Sequence, residues 1–349
     1  MGLYLENGYV NIPWILSLGL PYNFIVGGRG TGKTYTSLEV AKNNAENGSK
    51  FILLRRQQNQ TDTILTPEFS PFKKLNMNND WNVQPAKVNK NTGGFYNCEV
   101  KDDKNVPCGE PLGYALALST IANIRGFSAD DVDLMVYDEF IPEKHERSIK
   151  NEGDAFMNAY ETINRNRELD GKKPLQVLCL ANANNLSNPI FVRMGLVEKA
   201  YKMIKTHNEI LIDKDRGYSL FMLLDSKISE RKKDTALYKM GDESFAKMAI
   251  ENVFEYDDYL IRNRNLKEYI PLVTIGEISI YEHKTRCEYY VTSHTMNNCP
   301  KYGTSDIELK RMFEKYSYLA SEYMLLHIYF EQVVNEVLFK KYFKFDKNC

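Results

Sequence analysis

At 349 residues the chain is longer than one small domain requires, which predicts two domains. Hydrophobic residues make up 43% and charged residues 26% of the chain, the balance of a folded globular protein, so a disordered chain is excluded. The formal net charge of -1 excludes a uniformly basic nucleic-acid coat protein and leaves room for a local basic surface.

The cysteines and the N-terminal residues indicate the cellular compartment of the protein. The six cysteines include no C-x-x-C pair, so neither a zinc site nor a disulfide framework is indicated, and a reducing environment is expected. The apolar stretch at residues 12–20 is short, contains Pro13 and has no basic flank, which argues against a secretory signal. Gly2 is followed by Glu6 where a myristoylated chain has Ser or Thr. We therefore expect a cytoplasmic protein that binds no membrane.

A glycine-rich loop lies between a strand predicted at residues 22–26 and a helix predicted at residues 35–44. It fits the phosphate-binding pattern G-x-x-x-x-G-K-[ST]. The residues of the loop are Gly27, Gly28, Arg29, Gly30, Thr31, Gly32, Lys33 and Thr34. In such a loop, backbone N–H groups wrap a phosphate, the lysine reaches the β- and γ-oxygens, and the Thr hydroxyl holds Mg²⁺. The pattern predicts a nucleoside triphosphatase that uses Mg²⁺.

The next predicted strand, residues 51–54, ends in Arg55 and Arg56. It has the unbroken apolar character of a buried parallel strand, so these arginines are expected at its carboxyl end, where open α/β sheets bind ligands. Residues 57–118 are first polar and then alternate between apolar and polar, with turns that predict hairpin strands. We interpret this segment as an insertion.

A third apolar strand, beginning at residue 133, ends in two adjacent carboxylates, Asp138 and Glu139. We expect Asp138 to hold Mg²⁺ through water and Glu139 to polarise the water that attacks the γ-phosphate. An Asp-Glu pair by itself is more typical of the start of a loop. The catalytic interpretation depends on the phosphate-binding loop upstream.

A helix predicted at residues 154–167 leads to a strand at residues 175–180, and this alternation indicates a doubly wound sheet. Asn182 follows the strand, where its amide could contact the γ-phosphate or the water; the alternative is a turn-forming Asn. Arg165 and Arg167, at the end of the preceding helix, carry guanidinium groups that could stabilise the transition state, in a neighbouring subunit's site if the protein is an oligomer; the alternative is a solvated helix end. No N-K-x-D motif for guanine follows, so ATP is the expected nucleotide.

The C-terminal part shows period-two stretches, a charged run at residues 227–239, and a helical pattern at residues 308–343 that predicts one or two helices. Strands are predicted at residues 269–274, 277–283 and 286–292. The predicted organisation is an ATPase domain at residues 1–210, a linker or lid at 211–260, and a smaller α/β domain at 261–349.

Five segments, in this order and spacing, resemble the double-stranded DNA packaging ATPases of small podoviruses that replicate their genomes by protein priming. The segments are residues 23–34, 51–56, 136–141, 164–168 and 179–183. The resemblance implies a P-loop NTPase domain of the additional-strand, RecA- or terminase-like type, followed by an RNase H-like domain. It also implies a pentameric ring in the host cytoplasm, attached transiently to the capsid portal vertex and driving duplex DNA inward. Whether a packaging RNA is a further partner is left open.

By this resemblance Arg165 is the finger that enters the adjacent subunit's site, and Arg125 is a second basic residue acting across the interface. Two departures limit the similarity. Residues 57–60 all carry uncharged side-chain amides where the resembling proteins have a basic residue that meets DNA. The strand at residues 269–274 lacks the central acidic residue of a two-metal nuclease, so the C-terminal domain is expected to dock rather than cut.

Two alternatives remain at the level of sequence. A helicase-like nucleic-acid remodelling ATPase would be stimulated by single-stranded rather than duplex DNA. A nucleotide-gated assembly factor would bind ATP with little turnover.

Overall fold

The computed structural model describes residues 2–124, 129–142, 146, 149–182, 186, 188–226, 228, 260–294 and 298–345. The chain divides into two compact units. The first unit comprises Met1–Met194 and Lys202–Phe254, and the second comprises Gly195–Tyr201 and Glu255–Cys349. Within the described residues, no helix combines the length and the apolar character needed to cross a membrane.

The described helices are α1 Ile12–Ser17, α2 Lys33–Glu46, α3 Gln58–Ile64, α4 Lys73–Asn79, α5 Glu152–Asn164, α6 Pro189–Met194, α7 Val197–Lys205, α8 Asp306–Tyr316, α9 Tyr318–Met324 and α10 Val333–Tyr342. The strands of the first unit are β1 Tyr22–Gly27, β2 Lys50–Arg55, β3 Val83–Lys87, β4 Gly93–Lys101, β5 Lys104–Pro107, β6 Gly113–Ala117, β7 Val132–Asp138, β8 Gln176–Ala181, β9 Ile210–Asp213 and β10 Tyr218–Leu223. Those of the second are β11 Tyr269–Ile275, β12 Ile278–His283, β13 Tyr289–Thr292, β14 Lys301–Tyr302 and β15 Ile328–Phe330.

The first unit is built on a ten-stranded sheet in the order β3-β4-β6-β2-β7-β8-β1-β10-β9, with β5 paired to β4. The strands from β6 to β10 in this order are parallel, and β3, β4 and β9 run antiparallel at the edges. Strand β8 lies between β1, which leads into the phosphate-binding loop, and β7, which ends in Asp138. This is the additional-strand arrangement, so the predicted P-loop NTPase fold is confirmed.

The central strands are buried on both faces because each parallel crossover places a helix against the sheet. Residues of β1, β2, β7 and β8 are almost all inaccessible, which explains their unbroken apolar runs. On one side Phe24 packs edge-on against Phe140 and Phe191, with ring centroids 6.0 Å and 5.7 Å away. The sheet is therefore a rigid platform, and its loops are positioned by a well-packed core.

Two expectations about this unit are corrected. The segment at residues 57–118 is not only an insertion, because β6 is a parallel strand of the main sheet, paired with β2. Residues 211–223 are not linker, because β9 and β10 complete the sheet beyond the predicted boundary at residue 210. Strand β10 runs parallel to β1 with Leu223 opposite Gly27, and a Cβ on Gly27 would lie 2.5 Å from that of Leu223.

The second unit has a five-stranded sheet in the order β14-β11-β12-β13-β15. Strands β11 to β13 form an antiparallel meander, β14 is parallel to β11, and β15 is parallel to β13. The helical pattern at residues 308–343 forms three helices instead of one or two, because a break at Ser317 separates α8 from α9 and strand β15 lies between α9 and α10. The RNase H-like identity of this unit stays a prediction.

Candidate active site

The carboxyl ends of β1, β7 and β8 meet at one edge of the large sheet, because the three strands are parallel neighbours. A cleft of about 600 Å³ opens there, within the size range of small-molecule sites. Its lining residues are Tyr9, Arg29, Gly30, Thr31, Gly32, Lys33, Thr34, Tyr35, Lys74, Asp138, Glu139, Ala181 and Asn182. The structure thus brings the phosphate-binding loop, the two carboxylates and Asn182 together as the sequence predicts.

The loop wraps this cleft with a backbone that only glycine adopts readily. Gly30 and Gly32 have φ values of +85° and +80°, in the left-handed region. Gly32 is also the N-cap of α2, and a Cβ there would lie 2.5 Å from the ring of Tyr9. The first turn of the 14-residue helix α2 therefore faces the cleft with its N–H groups, which favours an anion at this place.

Lys33 is the first residue of α2, and its side chain is almost buried in the loop. Its Nζ donates hydrogen bonds to the carbonyl oxygens of Gly27 and Gly28, both at 2.9 Å. These carbonyls hold the ammonium group at the centre of the loop. A phosphate cradled by the loop would meet this positive charge directly.

Thr34 and Asp138 are in direct contact across the cleft. The Thr34 hydroxyl lies 3.0 Å and 3.1 Å from the two carboxylate oxygens of Asp138. Asp138 is 4% exposed and ends strand β7. This pair is a set of hard oxygen donors of the kind that Mg²⁺ prefers, so the residues fit the predicted metal.

Arg55, at the end of β2, links the two acidic residues. One guanidinium nitrogen lies 3.0 Å from a carboxylate oxygen of Asp138, and another lies 2.5 Å from one of Glu139. Glu139 is exposed and has a φ of +58°, which turns its side chain out of the strand direction and into the cleft. The carboxylate of Glu139 is therefore held by an ion pair at the rim.

Arg56, the next residue, has a different environment. Its guanidinium is fully buried and hydrogen-bonds to Glu152 at 2.6 Å and 2.8 Å, and it also pairs with Glu146. Burial raises the pKa of the neighbouring Tyr137 well above its usual value, and the Glu152 carboxylate adds to this shift. Arg56 is therefore part of a buried network that anchors the start of α5.

Arg165 does not lie at the cleft. It caps the C-terminal end of α5, is exposed, and donates from Nε to the carbonyl of Thr162 at 3.2 Å. The preceding residue, Asn164, accepts a hydrogen bond from the N–H of Leu175, just before β8 begins. Arg165 is thus at the amino edge of the sheet, separated from the cleft by the length of β7, about 20 Å for seven residues. Its guanidinium cannot reach the cleft of its own chain.

Other predicted residues fall elsewhere. Arg125 and nearly all of the run at residues 227–239 lie outside the described residues. The amide segment at residues 57–60 forms the start of α3, where Gln57 and Gln60 cap the helix reciprocally. Strand β11 carries no acidic side chain, as the sequence indicated.

Sequence reasoning did not identify three residues that line the cleft: Tyr9, Tyr35 and Lys74. The rings of Tyr9 and Tyr35 lie 5.9 Å apart beside the loop, and Lys74 comes from α4 in the segment interpreted as an insertion. Tyr35 follows the loop directly and could have been suspected. Tyr9 and Lys74 are brought in by the fold, and nothing in their local sequence signals it.

Comparison with known proteins agrees with this geometry. The sequence profile of the family described as Podovirus DNA encapsidation protein (Gp16) matches residues 6–285. A DNA packaging protein of Bacillus phage B103 is 30% identical over 272 residues, covering 75% of this chain and 74% of that protein. A DNA packaging protein of Bacillus phage phi29 is 26% identical over 262 residues, covering 74% and 70%.

Among solved structures, a chain of the bacteriophage Phi-29 viral genome packaging motor assembly superposes with a TM-score of 0.68. It shares 19% sequence identity, and the match covers 99% of this chain and 100% of that chain. At this identity the match shows a common fold. Together with the profile match over most of the sequence, it establishes that the chain belongs to the podovirus DNA encapsidation protein family.

Proposed function

We propose that this chain is an ATP-driven translocase that packages double-stranded DNA into a preformed capsid, acting as a ring of identical subunits on the portal vertex. Membership of the DNA encapsidation family supports the packaging activity, and the P-loop cleft supports ATP as its energy source. The placement of Arg165 at the far edge of the sheet is the single observation that carries the ring.

In the proposed site, the N-terminus of α2 and Lys33 bind the phosphates of ATP. Thr34 and Asp138 would hold Mg²⁺, which neutralises charge on the β- and γ-phosphates when bound. Glu139 orients the attacking water once its carboxylate leaves Arg55, its partner at 2.5 Å. Asn182 contacts the γ-phosphate or the water from the end of β8.

Arg165 completes the site of the adjacent subunit. An arginine at the amino edge of the sheet can stabilise a transition state only across a subunit interface, because its own cleft is too far away. Arg125 would act across the same interface. The resemblance supports five subunits. In a closed ring, each cleft would receive one Arg165 from the adjacent subunit.

The partners follow from the same proposal. Duplex DNA would pass through the ring, and the portal would anchor it. The second unit would dock to DNA, to the portal or to a packaging RNA. Residues 57–60 add no positive charge. We therefore expect the DNA affinity of the protein to depend less on salt concentration than it would with a basic segment at this place.

Steady-state ATP hydrolysis, measured against protein concentration with duplex DNA, single-stranded DNA or no DNA, tests this function. We expect a rate per subunit that rises with concentration and with duplex DNA, because neighbours complete each site. Stimulation by single strands alone would favour a remodelling ATPase. A negligible rate with intact ATP binding would favour an assembly factor.

Mixed rings test the role of Arg165 in trans. Arg165→Ala and Glu139→Gln subunits should each be inactive alone, and a mixture should regain hydrolysis where an intact cleft meets an intact arginine. Arg193→Ala is the matched control, since Arg193 is an exposed arginine of the same unit paired only with Asp154 in the described contacts. A mixture no more active than its components would contradict the proposal.

A further inference from the structure

A cluster of three side chains in the second unit has no role in the proposed ATP site. The sulfur of Cys287 lies 3.6 Å from Oε2 of Glu322 and 3.7 Å from Nδ1 of His327. The same Oε2 and Nδ1 atoms are 2.7 Å apart. A thiol, a carboxylate and an imidazole thus converge on one point at the surface of this unit.

The backbone fixes this convergence. Helix α9 ends in two characteristic hydrogen bonds, from the N–H of His327 to the carbonyl of Glu322 and from the N–H of Leu326 to the carbonyl of Tyr323. This is a Schellman cap, and Leu326 takes the left-handed position with a φ of +62°. The cap turns the chain back so that residues 322 and 327 lie side by side.

The third member is held by the sheet. The N–H of Tyr289 donates to the carbonyl of His327 at 2.9 Å, and Tyr289 pairs with Ile328 where β13 and β15 begin. Cys287 is two residues before this contact, in the turn that follows β12. Main-chain hydrogen bonds therefore bring the three residues close together.

We propose that Cys287, Glu322 and His327 form a zinc site, with water as the fourth ligand. Zinc bonds of about 2.3 Å to sulfur and 2.0–2.1 Å to nitrogen or oxygen place tetrahedral ligands roughly 3.3–3.6 Å apart. The two distances from the sulfur already match. The Glu322–His327 contact is a hydrogen bond, and it opens by roughly half an ångström when Nδ1 gives up its proton to bind the metal.

The donor set selects zinc. A thiolate and an imidazole are poor ligands for Mg²⁺ and good ones for Zn²⁺, so the ion of this site is distinct from the one proposed at the ATP cleft. The ion would clasp the β12–β13 turn, the end of α9 and the start of β15. No zinc pattern is visible along the chain because the ligands are single residues, with Cys287 separated from Glu322 by 35 positions and from His327 by 40.

Cobalt substitution of the full chain, without nucleotide, tests the site. We expect about one Co²⁺ per chain, a thiolate-to-cobalt charge-transfer band, and the strong visible bands of a tetrahedral ion; Zn²⁺ should displace it and raise the unfolding temperature. Cys287→Ser and His327→Ala should each weaken binding at least about tenfold and remove or alter the bands. Cys287 is exposed, so its replacement should leave the fold intact.

Two controls separate this site from other binding. Cys108→Ser replaces another exposed cysteine and should change nothing, while Asp138→Asn removes the oxygen site of the cleft and should leave the cobalt bands unaltered. Bands that survive Cys287→Ser, or an unfolding temperature indifferent to Zn²⁺ together with no bound metal, would overturn the proposal.

Discussion

At the carboxyl edge of the large sheet, Arg55 faces the cleft and pairs with two acidic side chains. At the amino edge, Arg167 is buried, donates from Nη1 to the carbonyl of Val132 at 2.9 Å and from Nε to that of Lys173 at 3.2 Å, and pairs with Asp133. The partners of Arg55 are carboxylates, whereas Arg167 is bound mostly by main-chain carbonyls, with Asp133 as an added carboxylate partner.

The difference distinguishes an arginine that takes part in the site, Arg55, from one that stabilises the fold, Arg167. Main-chain carbonyls are fixed acceptors, so an arginine bound to them holds neighbouring loops together and has no freedom to change partner. Carboxylates beside an open cleft can exchange one cationic partner for another, which is what binding of a metal-nucleotide requires. Arg165, two residues before Arg167, also donates to a main-chain carbonyl, that of Thr162, but it is exposed, and the proposed ring would give it a role at a subunit interface.

The sharpest test of this contrast replaces each of the two arginines of the amino edge by alanine, one at a time. Arg165→Ala should leave the free energy of unfolding within about 0.5 kcal/mol of the parent and lower DNA-stimulated hydrolysis about 1000-fold or more. Arg167→Ala should destabilise the chain by about 2 kcal/mol, because buried carbonyls lose their donors. Denaturant unfolding and ATPase assays report both. The reverse pattern would mean that Arg167 is the functional residue.

At the carboxyl edge, Glu139→Gln should keep ATP bound and lower hydrolysis about 100- to 1000-fold, since an amide cannot take a proton from water. Binding of a fluorescent nucleotide and single-turnover hydrolysis separate the two effects. Glu146→Gln is a control, because that carboxylate pairs with buried Arg56 instead of facing the cleft. Turnover of Glu139→Gln equal to the parent would remove Glu139 from the mechanism.

A smaller effect is expected from the loop backbone. Gly32→Ala forces a side chain into the left-handed region and against Tyr9, at a cost of about 2 kcal/mol or more. We expect ATP affinity to fall about 30-fold, the equivalent of that cost. Gly48→Ala, also at positive φ but with open space around its Cβ position, is the control for backbone strain alone. Similar losses of ATP affinity in both variants would contradict a local effect on the loop.

The smallest effect is expected for Asn182→Ala, about tenfold in turnover with little change in ATP affinity, because one neutral hydrogen bond is lost. Asn182→Asp adds a negative charge beside the γ-phosphate and should be worse than the alanine. Steady-state kinetics of the two variants gives the ranking. If both variants were as active as the parent, Asn182 would have only the structural role of a turn-forming residue.

Short-range patterns predicted most of the fold and the location of the cleft. The loop ending in Thr34 and the strand ending in Asp138 are continuous segments, so their sequence specifies them, and the parallel sheet then brings them together. Arg165 and Arg167 could not be told apart, because their roles depend on contacts with residues more than thirty positions away, such as Val132. Tyr9 reaches the loop only through packing of the N-terminal segment.

The same limit applies to the edges of the sheet and to the second unit. The charged run after residue 226 suggested a linker, and the predicted linker was extended to include β10, which pairs with β1. Strand β15 is only three residues long, too short to give a strand pattern of its own within the helical one. The cluster at Cys287 has no local signature, because one residue comes from a hairpin turn and the other two lie on opposite sides of a helix cap.

The pairing of β10 with β1 also has a mechanical consequence. The two strands run in the same direction and pair along their whole length, from Tyr22 opposite Tyr218 to Gly27 opposite Leu223. Tension on the chain beyond Leu223, directed along the strand, would shear this ladder and load its hydrogen bonds together instead of one after another. The strand that enters the phosphate-binding loop is thus coupled, through a connection that resists pulling, to the chain that leaves the sheet.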